Sequence, residues 1–311
     1  MTVPDYSFEQ FHGQTDGSTL HRNLTAMWAA IGAETGGRVQ ATVHAQNGGI
    51  AGGDPAALRM LIDGQIQFYT LMGGIIGTVV PVAEAQQVPF AFTSAAHAHK
   101  TIDGPLGRHI GAEMAAKGMH LIAGGGFDNG MRQVAGARVV ATPDDLAGVR
   151  IRVPPGQLIF DTFQALGAEP VIVPANRLYD ALAGGQVSAQ ENPLAVIEGF
   201  KLYELVKYVS MTNHMWSGFN LMAHRPTWQR LPDDIRTAIE RNAVAHVRRQ
   251  RADQDAFNAR LRHDLAARGL VFNDVDQTPF RATLAGVYSA WKERLGATCW
   301  ALLEAEVGPL R

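Results

Sequence analysis

Arg150-Ile151-Arg152-Val153-Pro154, followed about forty residues later by Gln190-Glu191-Asn192-Pro193, decides the reading of this chain. The first stretch puts an arginine at the end of a short apolar strand. The second puts an amide just before a proline-opened helix. A guanidinium fork with a neutral donor beside it suits a fixed carboxylate, because the fork offers two parallel bonds to two oxygens. A second arginine stands in a similar short apolar segment, Met131-Arg132-Gln133-Val134. An arginine in a strand usually points to solvent. At the carboxyl end of a strand beside a crevice it meets the place where open α/β sheets bind ligands.

Outward from these stretches the chain alternates strands and helices. Tyr6 to Phe11 reads as a strand, and Gly13 to Ser18 as a turn-rich loop ending in a helix cap. Leu20, Leu24, Met27, Trp28 and Ile31 share one side of a helix that stops at Gly36-Gly37. Arg38 to His44 alternates as a strand. Asp54-Pro55 opens a helix in the cap-then-proline order, and Ile66 to Leu71 is a strand. A second α/β block covers Met119 to His224, with Thr142-Pro143-Asp144-Asp145 and Asn176 reading as helix starts. Such alternation specifies an α/β sheet. From Pro232 to about Arg268 the pattern is helical throughout, over 50 Å at ~1.5 Å per residue, long enough to brace two domains.

Composition bounds the function. The 311 residues are 46% hydrophobic and 18% charged, and the net charge of −2 points to neither nucleic acid nor an anionic membrane. Cys299 is alone and cannot form an intrachain disulfide. The longest apolar run, Leu71 to Val82, is broken by three glycines and a proline, short of a membrane span. The start, Met1-Thr2-Val3-Pro4-Asp5, is polar and is no secretory leader. The residues alone leave open a cytoplasmic protein or one whose leader has been removed.

Enzyme and metal motifs are weak. Gly-x-Ser-x-Gly, His-Glu-x-x-His and the phosphate loop do not occur. Gly124-Gly125-Gly126-Phe127-Asp128-Asn129-Gly130 lacks the spacing of a dinucleotide loop and reads as a flexible crossover between lobes. His97 and His99, two apart on a helix, face different ways and suit an exposed surface better than a metal. The pairs Asp144-Asp145 and Asp233-Asp234 complement helix dipoles. The expectation is no catalytic residue, no metal and no cofactor.

Taken together, several runs resemble the solute-binding proteins of tripartite ATP-independent periplasmic (TRAP) transporters, the DctP family. The runs are Thr142 to Pro154 followed by Ala165-Leu166-Gly167-Ala168-Glu169-Pro170; Leu178 to Val187 followed by Gln190 to Pro193; Phe200 to Tyr208; Met211-Thr212-Asn213-His214; Leu231-Pro232; and Val88-Pro89-Phe90 with Asp103 to Gly107. They cover nearly the whole chain in the family's order. Ser188-Ala189 departs from it, where the family usually shows Asp-Gly.

The resemblance implies a two-lobed periplasmic binding protein-like α/β fold with a long interlobe helix. Residues 1–125 with about 213–250 would form the first lobe, and 126–212 with about 251–311 the second. It implies periplasmic localisation, TRAP membrane subunits as partners and a carboxylate ligand. Arg152 matches the carboxylate clamp, Arg132 an assisting arginine and Asn192 the amide partner. His12, Gln14, Thr15, Tyr69, Thr70, Met72 and Gly73 would face the ligand from the first lobe. Phe127, Pro155 and Gly156 would face it from the second, and Trp216 from a crossing segment, unless Trp216 only packs the hinge.

Sialic-acid binders of the family carry a glutamate where Met72 aligns and a phenylalanine near Ala175. Met72, Phe127 and Trp216 therefore suggest a monocarboxylate with an apolar body, such as an aromatic or branched 2-hydroxy or 2-keto acid. Two rivals remain: a binding subunit of another importer or sensor, and an enzyme using the arginines as an anion site.

Overall fold

The computed structural model describes residues 4–311; Met1-Thr2-Val3 of the polar start lie outside the described residues. In chain order the regular elements are β1 (Tyr6–His12), α1 (Thr19–Glu34), β2 (Val39–His44), α2 (Gly53–Ile62), β3 (Phe68–Met72), α3 (Gly73–Ile76), α4 (Ala95–Ile102), α5 (Pro105–Ala116) and β4 (Met119–Met131). Then come β5 (Gln133–Gly136), β6 (Arg150–Val153), α6 (Gln157–Ala165), β7 (Glu169–Ile172), α7 (Leu178–Ala183), β8 (Ala189–Asn192), α8 (Leu194–Gly199) and β9 (Tyr208–Met211). The chain closes with β10 (Trp216–His224), α9 (Arg225–Arg230), α10 (Asp233–Ala267), β11 (Val271–Asp274), α11 (Thr278–Thr283), α12 (Ala285–Leu295) and α13 (Ala297–Val307).

Two sheets result, ordered β2-β1-β3-β10-β4 and β11-β9-β5-β8-β6-β7. β1, β2 and β3 are mutually parallel, and β10 runs antiparallel between β3 and β4. The chain crosses between the sheets where β4 passes into β5 and where β9 passes into β10. The architecture is the two-lobed α/β arrangement with a long helix that the sequence implies.

The long helix α10 is the third link. It packs on α1 and β4 of the first lobe, then on α8 and β11 of the second. Its buried positions, Ile235, Ile239, Ala243, Val247, Leu261 and Leu265 among them, keep helical spacing on one side. Gln250 fastens it to the β4 crossing. Its amide accepts from the Asp128 N–H at 2.9 Å and donates to the Asp128 carbonyl at 2.7 Å.

Three local expectations are corrected. Gly124 to Gly126 is part of β4 and not a loop, because a bulge opposite Leu221 absorbs the extra residues before pairing resumes at Gly126. Asp54 lies inside the first turn of α2, whose cap is Gly52, and its carboxylate bonds elsewhere. Asn176 does not cap α7; it falls in a short 3-10 turn, and Arg177 precedes the helix. The resemblance places about 251–311 in the second lobe. In the structure α13 packs on α5 and on Pro81–Gln87 of the first lobe, while α12 touches both Pro81–Gln87 and α6.

Candidate functional site

A cavity lies between the two sheets, at the ends of β3, β6 and β8. Its polar lining comes from Gln14, Asp54, Thr70, Asn129, Arg132, Arg152, Asn192 and Ser217. Leu71, Met72, Ile75, Pro154, Val196 and Phe219 supply the apolar part. The enclosed volume is about 50 Å³, so the lobes are drawn tightly together around these groups. The lobes touch beside it. A Cβ added at Gly156 would stand 3.2 Å from the Gly74 carbonyl, and one at Gly53 would stand 3.1 Å from Asn176 Oδ1. The structure therefore shows a closed cleft.

Arg152 ends β6 with a side chain only 2% exposed. Its Nε donates to the Val173 carbonyl at 2.7 Å. Its two terminal amino groups have no hydrogen-bond partner among the described residues. Burial, with Arg132 nearby, lowers its pKa to about 10, against the pull of Glu191 and Asp54. It stays a cation at neutral pH. An unpaired buried charge is costly, and a guanidinium fork is shaped to pair with two oxygens of an anion.

Arg132 is equally buried and fully engaged. Its Nε and one amino group form a fork-to-fork pair with Glu191, at 2.5 and 2.6 Å. That amino group also reaches Asn192 Oδ1 at 3.2 Å, and the other donates to Ser217 Oγ at 3.1 Å. His214 completes the network. Its Nδ1 lies 2.8 Å from Thr212 Oγ1 and its Nε2 3.1 Å from Glu191. Burial pushes the His214 pKa down, so the neutral ring donates to the carboxylate. Burial alone would raise the Glu191 pKa, but Arg132 and His214 together pull it below the usual range.

Across the cleft, Asp54 Oδ1 accepts from Asn47 Nδ2 at 2.7 Å and from the Tyr69 hydroxyl at 2.8 Å. Asn47 and its neighbours Gln46 and Gly48 hold left-handed backbone angles, φ of 55°, 48° and 57°. That turn brings the amide to the carboxylate, a strained placement of the kind found at functional sites.

A family model described as bacterial extracellular solute-binding protein, family 7 (DctP), matches residues 11–294. The chain belongs to the DctP family. An uncharacterised protein of Sinorhizobium fredii is 30% identical over 288 residues, 92% of this chain and 52% of its own length. The 2,3-diketo-L-gulonate-binding periplasmic protein of Escherichia coli is 33% identical over 164 residues, 52% of this chain and 49% of that protein. The matches thus span about half the length of these two curated relatives. A TRAP periplasmic solute-binding protein of Roseobacter denitrificans, solved with bound β-D-glucuronate, superposes with a TM-score of 0.91 at 26% identity. That superposition covers 98% of this chain and 100% of the other.

Within this DctP protein, the cavity brings together six of the residues named from sequence: Gln14, Thr70, Met72, Arg132, Arg152 and Asn192. Thr15 lines an adjoining hollow that shares Gln14 and Asn129 with the cavity. Tyr69 stands behind Asp54, and His12 behind Gln14, bonding its backbone N–H at 3.2 Å. Gly73, Pro155 and Gly156 do not line the cavity; Gly156 lies where the lobes touch.

Phe127 is buried in the β4–β10 pairing opposite Phe219. Trp216 also lies outside the lining. Its indole N–H donates to Asp128 Oδ1 at 2.7 Å, and its ring sits against Phe92 and His99. Any side chain at Gly218 would collide with that ring.

Sequence reasoning missed Glu191, Asp54, Asn129 and Ser217. Glu191 had a signal, an acid inside a strand of buried residues. Asp54 had none, because Asp before Pro reads equally well as a cap.

Proposed function

We propose that this protein is a receptor in the periplasm that binds an organic monocarboxylate and delivers it to the membrane subunits of a TRAP transporter. The open fork of Arg152 carries the reading. It is a buried cation whose amino groups have no partner among the described residues, at the wall of a closed cleft. The family's description as solute-binding proteins supports a receptor over an enzyme. Among the described residues no helix is long and apolar enough to cross a membrane.

The ligand body is a hydroxylated one in this reading. Asp54, anchored by Asn47 and Tyr69, faces the cleft with Gln14, Asn129 and Ser217, and an anchored carboxylate accepts from ligand hydroxyls. The names of the two relatives above carry sugar acids, glucuronate and diketogulonate. Met72, Ile75 and Phe219 favour a second reading, the apolar-bodied 2-hydroxy or 2-keto acid.

A thermal-shift screen separates them, because a ligand binding only the folded state raises the melting temperature. D-glucuronate, L-gulonate and D-erythronate should raise it more than phenylpyruvate and 2-ketoisovalerate. The reverse order would reinstate the apolar ligand, and no shift with any carboxylate would sink the reading. Binding should also close the lobes about the crossing segments, which scattering would detect as a smaller radius in the liganded form.

A further inference from the structure

His12 and His21 form a pair that the carboxylate site does not use. His12 is fully buried at the end of β1, and His21 is half-buried in the first turn of α1. His12 Nδ1 accepts the Gln14 backbone N–H at 3.2 Å. That bond fixes the tautomer, since Nδ1 must be bare and the proton must sit on Nε2. Nε2 stands 2.9 Å from His21 Nδ1, so the shared proton comes from His12 and His21 Nδ1 is also bare. The remaining His21 proton is on its own Nε2.

The loop held by this wire is the one that carries Gln14 to the cavity. The Gln14 carbonyl accepts from the Gln46 N–H at 2.9 Å, which ties it to the left-handed turn holding Asn47 on Asp54. His21 is held in turn by the Ser18 hydroxyl, which accepts its backbone N–H at 3.1 Å.

We propose that His12 and His21 are positioning residues for the Gln14 wall of the cleft, wired so that a proton arriving on His21 Nδ1 releases that wall. Two N–H groups cannot face each other at 2.9 Å, so a protonated His21 must break from His12. His12 cannot take the proton in its place. Burial, with His21 and His44 near, holds its pKa down at about 3.

Burial also lowers the His21 pKa, against the pull of Asp16. The other charges around the pair are accounted for. His44 on β2 is paired with Glu9, Arg22 sits on the Gly17 carbonyl, and Asp253 on α10 accepts from Asn23.

A freed imidazole titrates near 6.5, so at pH 5.5 the released state gains about tenfold over the wired one and at pH 7.5 almost nothing. This deepens the carboxylate reading and rests on it for the affinity readout alone. Glu84, raised to about 7 by burial at the amino end of α6, titrates in the same window. The slope owed to the histidines is therefore the difference between wild type and a variant that cannot take the proton.

Nitrogen-15 imidazole spectra of the unliganded protein test the wiring whatever the ligand is. The expected result is an Nε2–H tautomer on His12, unprotonated through pH 5.5, with the Gln14 amide shift following the His21 titration. A His12 Nδ1–H tautomer, or a Gln14 amide indifferent to that titration, overturns the proposal. Calorimetry with D-glucuronate at pH 7.5 and 5.5 tests the consequence. Wild type should weaken more than His21→Asn, by up to about tenfold, because the asparagine amide oxygen replaces Nδ1 and does not titrate. His21→Ala should bind more weakly at both pH values, with His21→Asn restoring most of the loss. His21→Ala with the wild-type profile overturns the proposal. If D-glucuronate fails to bind wild type, the ligand reading falls and the spectra still decide the pair.

Discussion

Two buried arginines, Arg152 on β6 and Arg132 at the crossing between β4 and β5, line one cavity and have opposite surroundings. Arg132 has a carboxylate, a carbonyl, an amide and a hydroxyl around it. Arg152 has one backbone carbonyl on Nε and, among the described residues, nothing on its amino groups. Equal burial and the same residue type give a fully bonded guanidinium in one place and a fork without side-chain partners among the described residues in the other. The difference lies in Glu191. An arginine whose charge the protein already satisfies holds structure, and in the proposed reading the one left unsatisfied takes the ligand carboxylate.

Removing Glu191 should break the scaffold most severely. Glu191→Gln keeps the shape but strands the Arg132 charge, and breaking a buried pair costs roughly 3–5 kcal/mol. Urea unfolding should show a loss of that size, because the glutamine amide keeps one acceptor oxygen and turns an N–H group toward a donor of Arg132 or His214. A loss under ~1 kcal/mol, the range of exposed pairs, would show that water reaches Arg132 and that the contrast is unreal.

Arg152→Lys should cost about 2–4 kcal/mol of binding while leaving the fold intact, because a point charge cannot supply the planar fork. Arg132→Lys should lose less affinity and more stability. Calorimetry on the acid that wins the thermal screen, with unfolding curves beside it, checks both. A larger affinity loss at Arg132 would mean that the clamp and the scaffold have been interchanged.

This contrast was half legible in the sequence. Strand-helix alternation, the apolar strands and the Pro232 to Arg268 helix were plain because period and capping are local. Arg152 and Asn192 stood out for the same reason, lying beside prolines at strand ends. The partner of Arg132 was not legible. It comes from β8, 59 residues on, and only the sheet order that sets β8 beside β5 brings Glu191 to it. Asp54 was misread as a cap because the residues that turn it into the cleft, Asn47 and Tyr69, lie on other elements. Trp216 was chosen for its chemistry, and its place was set by Asp128 and by the space left at Gly218.

Melting the unliganded protein tests most directly whether Arg152 is a cation the fold leaves unsatisfied while Arg132 is a satisfied one. Burial takes the Arg152 pKa from 12.5 to about 10. At 1.4 kcal/mol per unit, that is about 3 kcal/mol held against the fold at neutral pH. The one bond to Val173 returns about 1 kcal/mol. Arg152→Met, which removes both, should therefore raise the unliganded melting temperature at pH 7.5 by several degrees. Arg132→Met, which strands Glu191, should lower it. Shifts of opposite sign are predicted; a fall of similar size in both variants would contradict the account.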